Sequence, residues 1–264
     1  MEIFTKNNVI IEGNLASEKT IVFAHGFGTD QSAWRFIKNA FADDYRLVCY
    51  NSVGNGKAHP EAYSPLKYAT LGAYVNDLVD VATALNLKDA ILVAHSVSSM
   101  IGLLTSIRKP DLFSKLVIIG ASPCYLNDED YHGGFEQSDL DGLYNAMKVN
   151  YYAWVSGFSS LAMGNAEKPE LGLEFARTLS AVQPDIALAV SKVIFQSDCR
   201  SELPKLRKDV LIIQAKDDIA VPAYVGEYLH ANIAGSRLKN IDASGHLPHI
   251  SAPSKIVEAI KAFI

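Results

Sequence analysis

Short apolar runs rich in β-branched residues recur along the chain and alternate with longer segments of helical periodicity. Most of these runs are uninterrupted, which is typical of strands buried on both faces of a parallel sheet. Seven strands are predicted, at residues 9–11, 20–24, 47–50, 90–94, 116–119, 210–214 and 238–241. The alternation predicts an α/β fold with an open, mostly parallel sheet, whose functional crevice lies at the carboxyl ends of the strands.

The helical pattern is clearest at residues 71–85 and after Pro253, and it dominates residues 122–197. Residues 71–85 carry a broad apolar face, and Pro253 opens a last helix with one apolar side. Between residues 122 and 197 the alternation stops, because this aromatic-rich segment has helical patterning and no convincing strand. We therefore predict a single domain, 1–264, with a core formed by 1–121 and 198–264. The segment 122–197 is predicted to be a helical lid over the carboxyl edge of the sheet.

Composition and charge narrow the class of protein. The chain has 264 residues, 49% of them hydrophobic and 20% charged, which is enough for a sizeable core. Its formal net charge is −5 and it has no basic stripe, so nucleic-acid binding is not expected. No apolar run approaches the roughly 18 residues of a membrane span, and no secretory signal is recognised. Three dispersed cysteines predict no disulfide framework. We expect a cytoplasmic protein that does not bind membranes.

The segment around Ser96 is the strongest indication of chemistry. A predicted strand ends at Ala94, a helix begins after Ser96, and both Ala94 and Ser98 are small. This strand–turn–helix setting is that of a nucleophile elbow, in which a sharp turn lifts the serine hydroxyl clear of the sheet. The usual pattern is Gly-x-Ser-x-Gly, and Ala-x-Ser-x-Ser meets the same demand for small neighbours. The alternative is that Ser96 is an ordinary N-cap serine.

Two backbone amides are predicted to form an oxyanion hole next to this serine. The strand at 20–24 leads into His-Gly-Phe-Gly at 25–28, a loop of the type that supplies the first amide, here that of Phe27. The amide of Val97, at the start of the helix, is the second. The alternative for the two glycines is a plain strand-exit turn. His25 and His95 are expected to stabilise loops through hydrogen bonds.

The acid and the base of a catalytic triad follow in the chain order Ser, Asp, His. Asp217 and Asp218 come after the strand at 210–214, and position alone does not decide which of them faces the histidine. His246 follows a glycine in the loop after the last strand, whereas His249 approaches the last helix, so we favour His246 as the base. In this scheme His246 takes the proton of Ser96, an aspartate orients the imidazole, and water releases the acyl-enzyme.

No cofactor or metal is expected from the motifs in the chain. The glycines at 54 and 56 follow a strand, but the third glycine of a dinucleotide-binding fingerprint is missing. Zinc-protease, EF-hand and phosphate-loop patterns do not occur.

Taken together, these residues resemble the small α/β-hydrolases that include the bacterial sigma-factor-B regulator RsbQ and the plant strigolactone and karrikin receptors. The resemblance spans nearly the whole chain and is carried by HGFGTDQS (25–32), HSV (95–97), SPCYLND (122–128), YHGGF (131–135), FQSD (195–198) and GHLP (245–248). It implies a mostly parallel sheet of the eight-stranded type, flanked by helices, and a four-helix lid. It also implies a triad of Ser96, Asp218 and His246. The hydrophobic pocket that it implies is formed by His25, Phe27, Tyr125, Phe135, Trp154, Phe158, Ile194 and Phe195.

The function implied by this resemblance is hydrolysis of small hydrophobic esters or lactones. Family members act slowly, and several signal through a regulatory protein partner. Cys124 stands where the plant receptors have arginine and the bacterial regulator has cysteine, which favours a signalling role like that of the bacterial protein. The alternative is a receptor that binds and slowly hydrolyses a butenolide-type ligand and signals through a partner. A perhydrolase or carbon–carbon bond hydrolase would use the same triad.

Overall fold

A mostly parallel sheet organises the fold in the computed structural model, which describes residues 2–264. The strands of this sheet are β1 (Ile10–Gly13), β2 (Thr20–Ala24), β3 (Arg46–Tyr50), β4 (Ala90–His95), β5 (Phe113–Ile119), β6 (Asp209–Asp217) and β7 (Ser236–Ser244). Their order is β1-β3-β2-β4-β5-β6-β7. β1 runs antiparallel to β3, and all the other neighbouring pairs are parallel.

Each of the seven predicted apolar runs forms a strand, so the α/β class and the mostly parallel sheet are confirmed. The sheet departs from the expected eight-stranded type, because the described residues form seven strands and the segment before β1 is a short helix. The two edge strands also differ from the prediction of burial on both faces. β1 is largely exposed and β7 is buried at few positions, whereas every residue of the central β2 is buried.

Helices cover both faces of the sheet. Those of the described chain are α1 (Ile3–Lys6), α2 (Leu71–Ala84), α3 (Val97–Arg108), α4 (Gln137–Val149), α5 (Tyr151–Met163), α6 (Pro169–Ser180), α7 (Pro184–Phe195), α8 (Ala223–Asn232), α9 (Pro248–Ser251) and α10 (Pro253–Lys261). Successive strand residues point to opposite faces. Val22 therefore belongs to the apolar cluster that includes residues of α2, α3 and α8, whereas Phe23 belongs to the cluster that includes Trp34 and residues of α10.

Four consecutive helices, α4 to α7, lie between β5 and β6. The sequence sets where several of them begin: Asn150 accepts a hydrogen bond from the amide of Ala153 at the start of α5, and prolines open α6 and α7. α5 packs along α6, and α4 contacts both α5 and α7. A third apolar cluster joins these helices to Leu247 and Ile250, just beyond the carboxyl end of β7. The inserted helices thus lie at the edge of the sheet where the strands end.

Within residues 2–264, no single helix is both long enough and apolar enough to cross a membrane. α6 and α7 meet those limits only when they are taken together. The chain bends by 104° between these two helices.

Candidate active site

Ser96 stands on a sharp turn between β4 and α3. Its backbone angles, φ 54° and ψ −127°, belong to a region that residues other than glycine rarely adopt. The Ser96 amide donates a hydrogen bond to the carbonyl of Ile119 on β5, at 2.9 Å. Its hydroxyl makes no capping hydrogen bond to α3, so it is not an ordinary N-cap serine. Strained backbone of this kind is concentrated at functional sites.

Ser96, His246 and Asp218 meet at the carboxyl ends of three different strands. His246 Nε2 lies 2.9 Å from Ser96 Oγ, and His246 Nδ1 lies 2.8 Å from Asp218 Oδ2. The other oxygen of Asp218 accepts hydrogen bonds from the amides of Ala220 and Val221, at 2.9 and 3.1 Å. The Asp218 side chain is fully buried, and that of His246 is 12% exposed. The fixed carboxylate favours the tautomer with the proton on Nδ1, which leaves Nε2 to accept the serine proton.

Of the two adjacent aspartates, it is Asp218 that contacts His246. Asp217 is the last residue of β6, and its exposed side chain accepts a hydrogen bond from Ser244 Oγ at 3.2 Å. Neighbouring residues in an extended chain point in opposite directions, so Asp217 turns away when Asp218 faces the site.

The backbone of His246 is held from two sides. Its amide donates to the carbonyl of Ala162 at the end of α5, and its carbonyl accepts a hydrogen bond from His95 Nε2, both at 2.7 Å. Gly245 has a φ of +89°, and a Cβ there would lie 1.8 Å from the carbonyl oxygen of Met163. Glycine is therefore required where α5 meets this loop. The inserted helices contribute directly to the position of the imidazole.

Three further histidines near the site are buried. His25 Nδ1 donates to the carbonyl of the next residue, and its Nε2 accepts a hydrogen bond from the amide of Ser52. His249 packs 4.4 Å from the ring of His95, and neither of its nitrogens has a partner among the described residues. Burial lowers the pKa of His25 and His95, and it lowers the pKa of His249 to about 3. These rings are therefore neutral at pH 7. The prediction that His25 and His95 stabilise loops is confirmed.

Phe27 and Val97, the residues with the predicted oxyanion amides, follow Gly26 and Ser96 in the chain. Val97 is the first residue of α3, and neither amide donates a hydrogen bond to another residue in the described part of the chain. A Cβ on Gly26 would lie 2.5 Å from His95 Nδ1 and 3.1 Å from Ser96 Cβ, so the loop approaches the serine closely only with glycine there. Two unpaired amides of this kind, one of them at a helix N-terminus, can stabilise an oxyanion.

A small, mostly apolar cavity borders these same two residues. His25, Phe27 and Ile194 of the predicted pocket line it, together with Leu71 and Ile101. Its volume is about 10 Å³ for the centre of a water molecule, which is enough for one water-sized group. Three polar residues in its wall, Ser52, Asn55 and Tyr74, were not predicted. The first two follow the end of β3, so the rule that sites lie at the carboxyl ends of strands pointed to this segment.

Three of the other predicted pocket residues form an aromatic group next to the serine. Phe195 packs edge to face against Tyr125 and Phe135, with ring centroids 5.0 and 5.5 Å away. Tyr125 Oη lies 3.4 Å from Ser96 Oγ, and burial raises the pKa of Tyr125 to about 12. None of these three rings lines the small cavity.

Trp154 and Phe158, the last two predicted pocket residues, lie one turn apart on α5. Their rings stack at 4.8 Å, and Phe158 also contacts Phe175 of α6. Both belong to the apolar cluster shared by α5 and α6 rather than to the wall of the small cavity. Phe27 packs against this cluster and against the main core, so it lies between them.

Sequence reasoning missed Gly120, which leaves space for the imidazole. This residue follows β5 with a φ of +55°, and a Cβ there would lie 3.2 Å from His246 Cε1 and 3.5 Å from Asp218 Oδ2. The only available signal was a glycine at the carboxyl end of a predicted strand. Within residues 2–264, no group of three or more His, Cys, Asp or Glu side chains is arranged to hold a metal ion.

An open, mostly parallel sheet with a serine on a strained turn after a central strand is the framework of the α/β-hydrolases. The chain belongs to the alpha/beta hydrolase family, whose model matches residues 21–259. It is 44% identical to strigolactone esterase D14 of Arabidopsis thaliana and 46% identical to karrikin insensitive 2 receptor CA of Petunia hybrida. Each alignment covers 96% of this chain and 94% of the relative.

A hydrolase of Oleispira antarctica has a similar solved structure, with a TM-score of 0.96 and 34% identity. That comparison covers 99% of this chain and 96% of the bacterial one. The family resemblance predicted from the sequence is confirmed, and the chain is an α/β-hydrolase.

Proposed function

We propose that the protein is a serine hydrolase of small hydrophobic esters or lactones, with Ser96 as nucleophile, His246 as base and Asp218 as the acid of the triad. One observation carries the proposal: two hydrogen-bond distances, 2.9 Å from Ser96 Oγ to His246 Nε2 and 2.8 Å from His246 Nδ1 to Asp218 Oδ2, link the three side chains. Such a chain of contacts activates a hydroxyl that is otherwise a weak nucleophile.

The reaction proceeds through an acyl-enzyme. His246 Nε2 accepts the proton as Ser96 Oγ bonds to the carbonyl carbon, and the amides of Phe27 and Val97 stabilise the oxyanion. The bond to the leaving oxygen breaks as His246 returns the proton to it. The same imidazole then deprotonates a water that attacks the acyl carbon, which releases the acid and restores the serine.

The surroundings of Ser96 support a small, hydrophobic substrate. Tyr125 lies next to Ser96 and packs with Phe135 and Phe195, and an apolar cavity borders Phe27 and the neighbouring Val97. In this proposal the segment 122–197 acts as a lid that excludes water from the reacting groups. The three cysteines are free and buried, which supports a location in the reducing cytoplasm.

A signalling role is the second part of the proposal. One of the similar plant proteins is named a receptor and another an esterase. One site can bind a ligand, hydrolyse it slowly and signal through a regulatory protein partner. The alternative is that ligand binding is the main role and hydrolysis is secondary. Steady-state kinetics separate the two: multiple fast turnovers favour the enzyme. A burst of about one turnover favours the receptor. A rise in melting temperature when a butenolide binds to the Ser96→Ala variant also favours the receptor.

The test of the triad is hydrolysis of p-nitrophenyl acetate by Ser96→Ala and by a matched serine variant. Ser106→Ala is the control, because Ser106 lies buried on the same helix with its hydroxyl donating to the Gly102 carbonyl. We expect Ser96→Ala to lower kcat at least about 10³-fold, while Ser106→Ala stays within about twofold of the unmodified protein. Retention of full activity by Ser96→Ala would contradict the mechanism.

A further inference from the structure

Two buried polar groups without partners border the small cavity next to Phe27 and Val97. Asn55 and Tyr74 are each 6% exposed. Asn55 Oδ1 and Tyr74 Oη make no hydrogen bond with any residue of the described chain, and both residues line the cavity. A buried polar atom that is left unpaired destabilises the folded protein. An unpaired acceptor and an unpaired hydroxyl at one cavity therefore indicate a binding site for a polar group.

The cavity also has the right neighbours for the acyl side of a substrate. It borders the two residues whose amides are the proposed oxyanion donors. An acyl group on Ser96 that directs its oxygen to those amides is therefore held by residues that also line the cavity. The rest of the wall includes the apolar side chains of Leu71, Ile101 and Val190. These side chains are suited to contact carbon atoms, and Asn55 and Tyr74 are suited to bind a polar atom.

We propose that the cavity is an acyl-binding subsite that selects esters of short 2-hydroxy acids, with the substrate hydroxyl held between Asn55 Oδ1 and Tyr74 Oη. A hydroxyl matches this pair because it donates one hydrogen bond and accepts others. Burial raises the pKa of Tyr74, so its phenol stays protonated and can donate. The volume of about 10 Å³ limits the terminal group to roughly the size of a hydroxyl or a methyl. This inference rests on the proposed function and narrows the acyl part of its substrate.

An isosteric pair of esters tests the subsite. p-Nitrophenyl glycolate and p-nitrophenyl propionate share the leaving group and differ in the terminal hydroxyl or methyl of the acyl group. The ratio of their kcat/KM values is divided by the ratio of their alkaline hydrolysis rates, which removes the difference in intrinsic reactivity. Sites that hydrogen-bond a substrate hydroxyl reject analogues that lack it. We expect a corrected ratio of at least about tenfold in favour of the glycolate.

Three variants assign that preference to the two side chains. Tyr74→Phe removes only the unpartnered hydroxyl and should lower the corrected ratio at least about fivefold, and Asn55→Ala should lower it in the same direction. Tyr63→Phe is the control, because this half-buried tyrosine stacks on Tyr68 at 5.6 Å and does not line the cavity. It should keep the ratio of the unmodified protein. Melting temperatures confirm that the variants are folded.

The inference is overturned if the unmodified protein has a corrected ratio near one, or if Tyr74→Phe and Asn55→Ala both keep its ratio. Failure of the subsite differs from failure of the proposed function. In the first case both esters are still hydrolysed in a Ser96-dependent way but without preference. In the second, hydrolysis persists in Ser96→Ala.

Discussion

Gly120 leaves space beside the imidazole of His246, and replacing it tests whether that space is needed to position the base. In Gly120→Ala the new methyl group would lie 3.2 Å from His246 Cε1 and 3.3 Å from Nδ1. Carbon contacts are normally about 3.5–4.0 Å, so the ring must move by about 0.3–0.8 Å. The 2.9 Å contact between Ser96 and His246 then approaches the limit of a hydrogen bond. A full 1 Å misplacement costs about 10²-fold, so we expect kcat to fall about tenfold.

The same substitution also strains the backbone, and a matched variant separates the two effects. The φ of +55° at Gly120 costs an alanine about 1–2 kcal/mol of unfolding free energy. Gly235 has a φ of +77°, and the nearest atom to a Cβ there is the Lys208 carbonyl oxygen at 3.8 Å. Gly235→Ala should therefore lose similar stability, with a melting temperature lower by about 2–8 °C, and keep the unmodified kcat.

Turnover of p-nitrophenyl acetate and calorimetric melting measure both variants. The reasoning is refuted if Gly120→Ala keeps the kcat of the unmodified protein, or if Gly235→Ala loses as much kcat as Gly120→Ala does.

Two further predictions concern stability. Burial holds the pKa of His249 at about 3, below its usual 6.5. Between these pH values the unfolded chain binds a proton that the folded protein does not bind. The folded protein therefore loses stability as the pH falls from 6.5 towards 3. His249→Phe should reduce the pH dependence of the unfolding free energy by up to about 1.4 kcal/mol per pH unit. Urea titrations at pH 7, 6 and 5 measure it, and the same pH dependence in the variant and the unmodified protein would argue against the prediction. Lys6 forms a buried ion pair with Asp77, which also accepts a hydrogen bond from Tyr68 Oη at 2.9 Å. Lys6→Met leaves the carboxylate without its cation and should lower the unfolding free energy by about 3–5 kcal/mol, whereas Lys6→Met combined with Asp77→Asn should recover part of it. A loss below about 1 kcal/mol in the single variant would contradict this assignment.

The parts of the fold that local sequence determines were predictable. The turn at Ser96 is set by a strand before it, a helix after it and small residues on both sides, all within a few positions. The strand at Thr20–Ala24 was predicted with its observed bounds, because a run of apolar residues buried on both faces has a clear pattern. The exposed edge strand β1 was predicted one to two residues early, since its pattern is weaker.

The parts of the site that depend on tertiary packing were not predictable from the residues alone. Which of Asp217 and Asp218 faces His246 depends on the pleat at the end of β6, which position along the chain does not reveal. Gly120 and Tyr74 reach the site from β5 and α2, and nothing in their local sequence indicates what lies opposite them. The family resemblance selected Asp218. It gave no indication of Asn55 and Tyr74, the two cavity residues with unpaired polar atoms.

The central claim is that His246 activates Ser96, and covalent labelling tests it most directly. A fluorophosphonate reacts with an activated serine, and intact-mass and peptide analysis locate the adduct. We expect one adduct per chain on Ser96, none in Ser96→Ala, and labelling of His246→Ala slowed at least about 10³-fold. An adduct on another residue, or equal labelling rates with and without the His246 imidazole, would contradict the account.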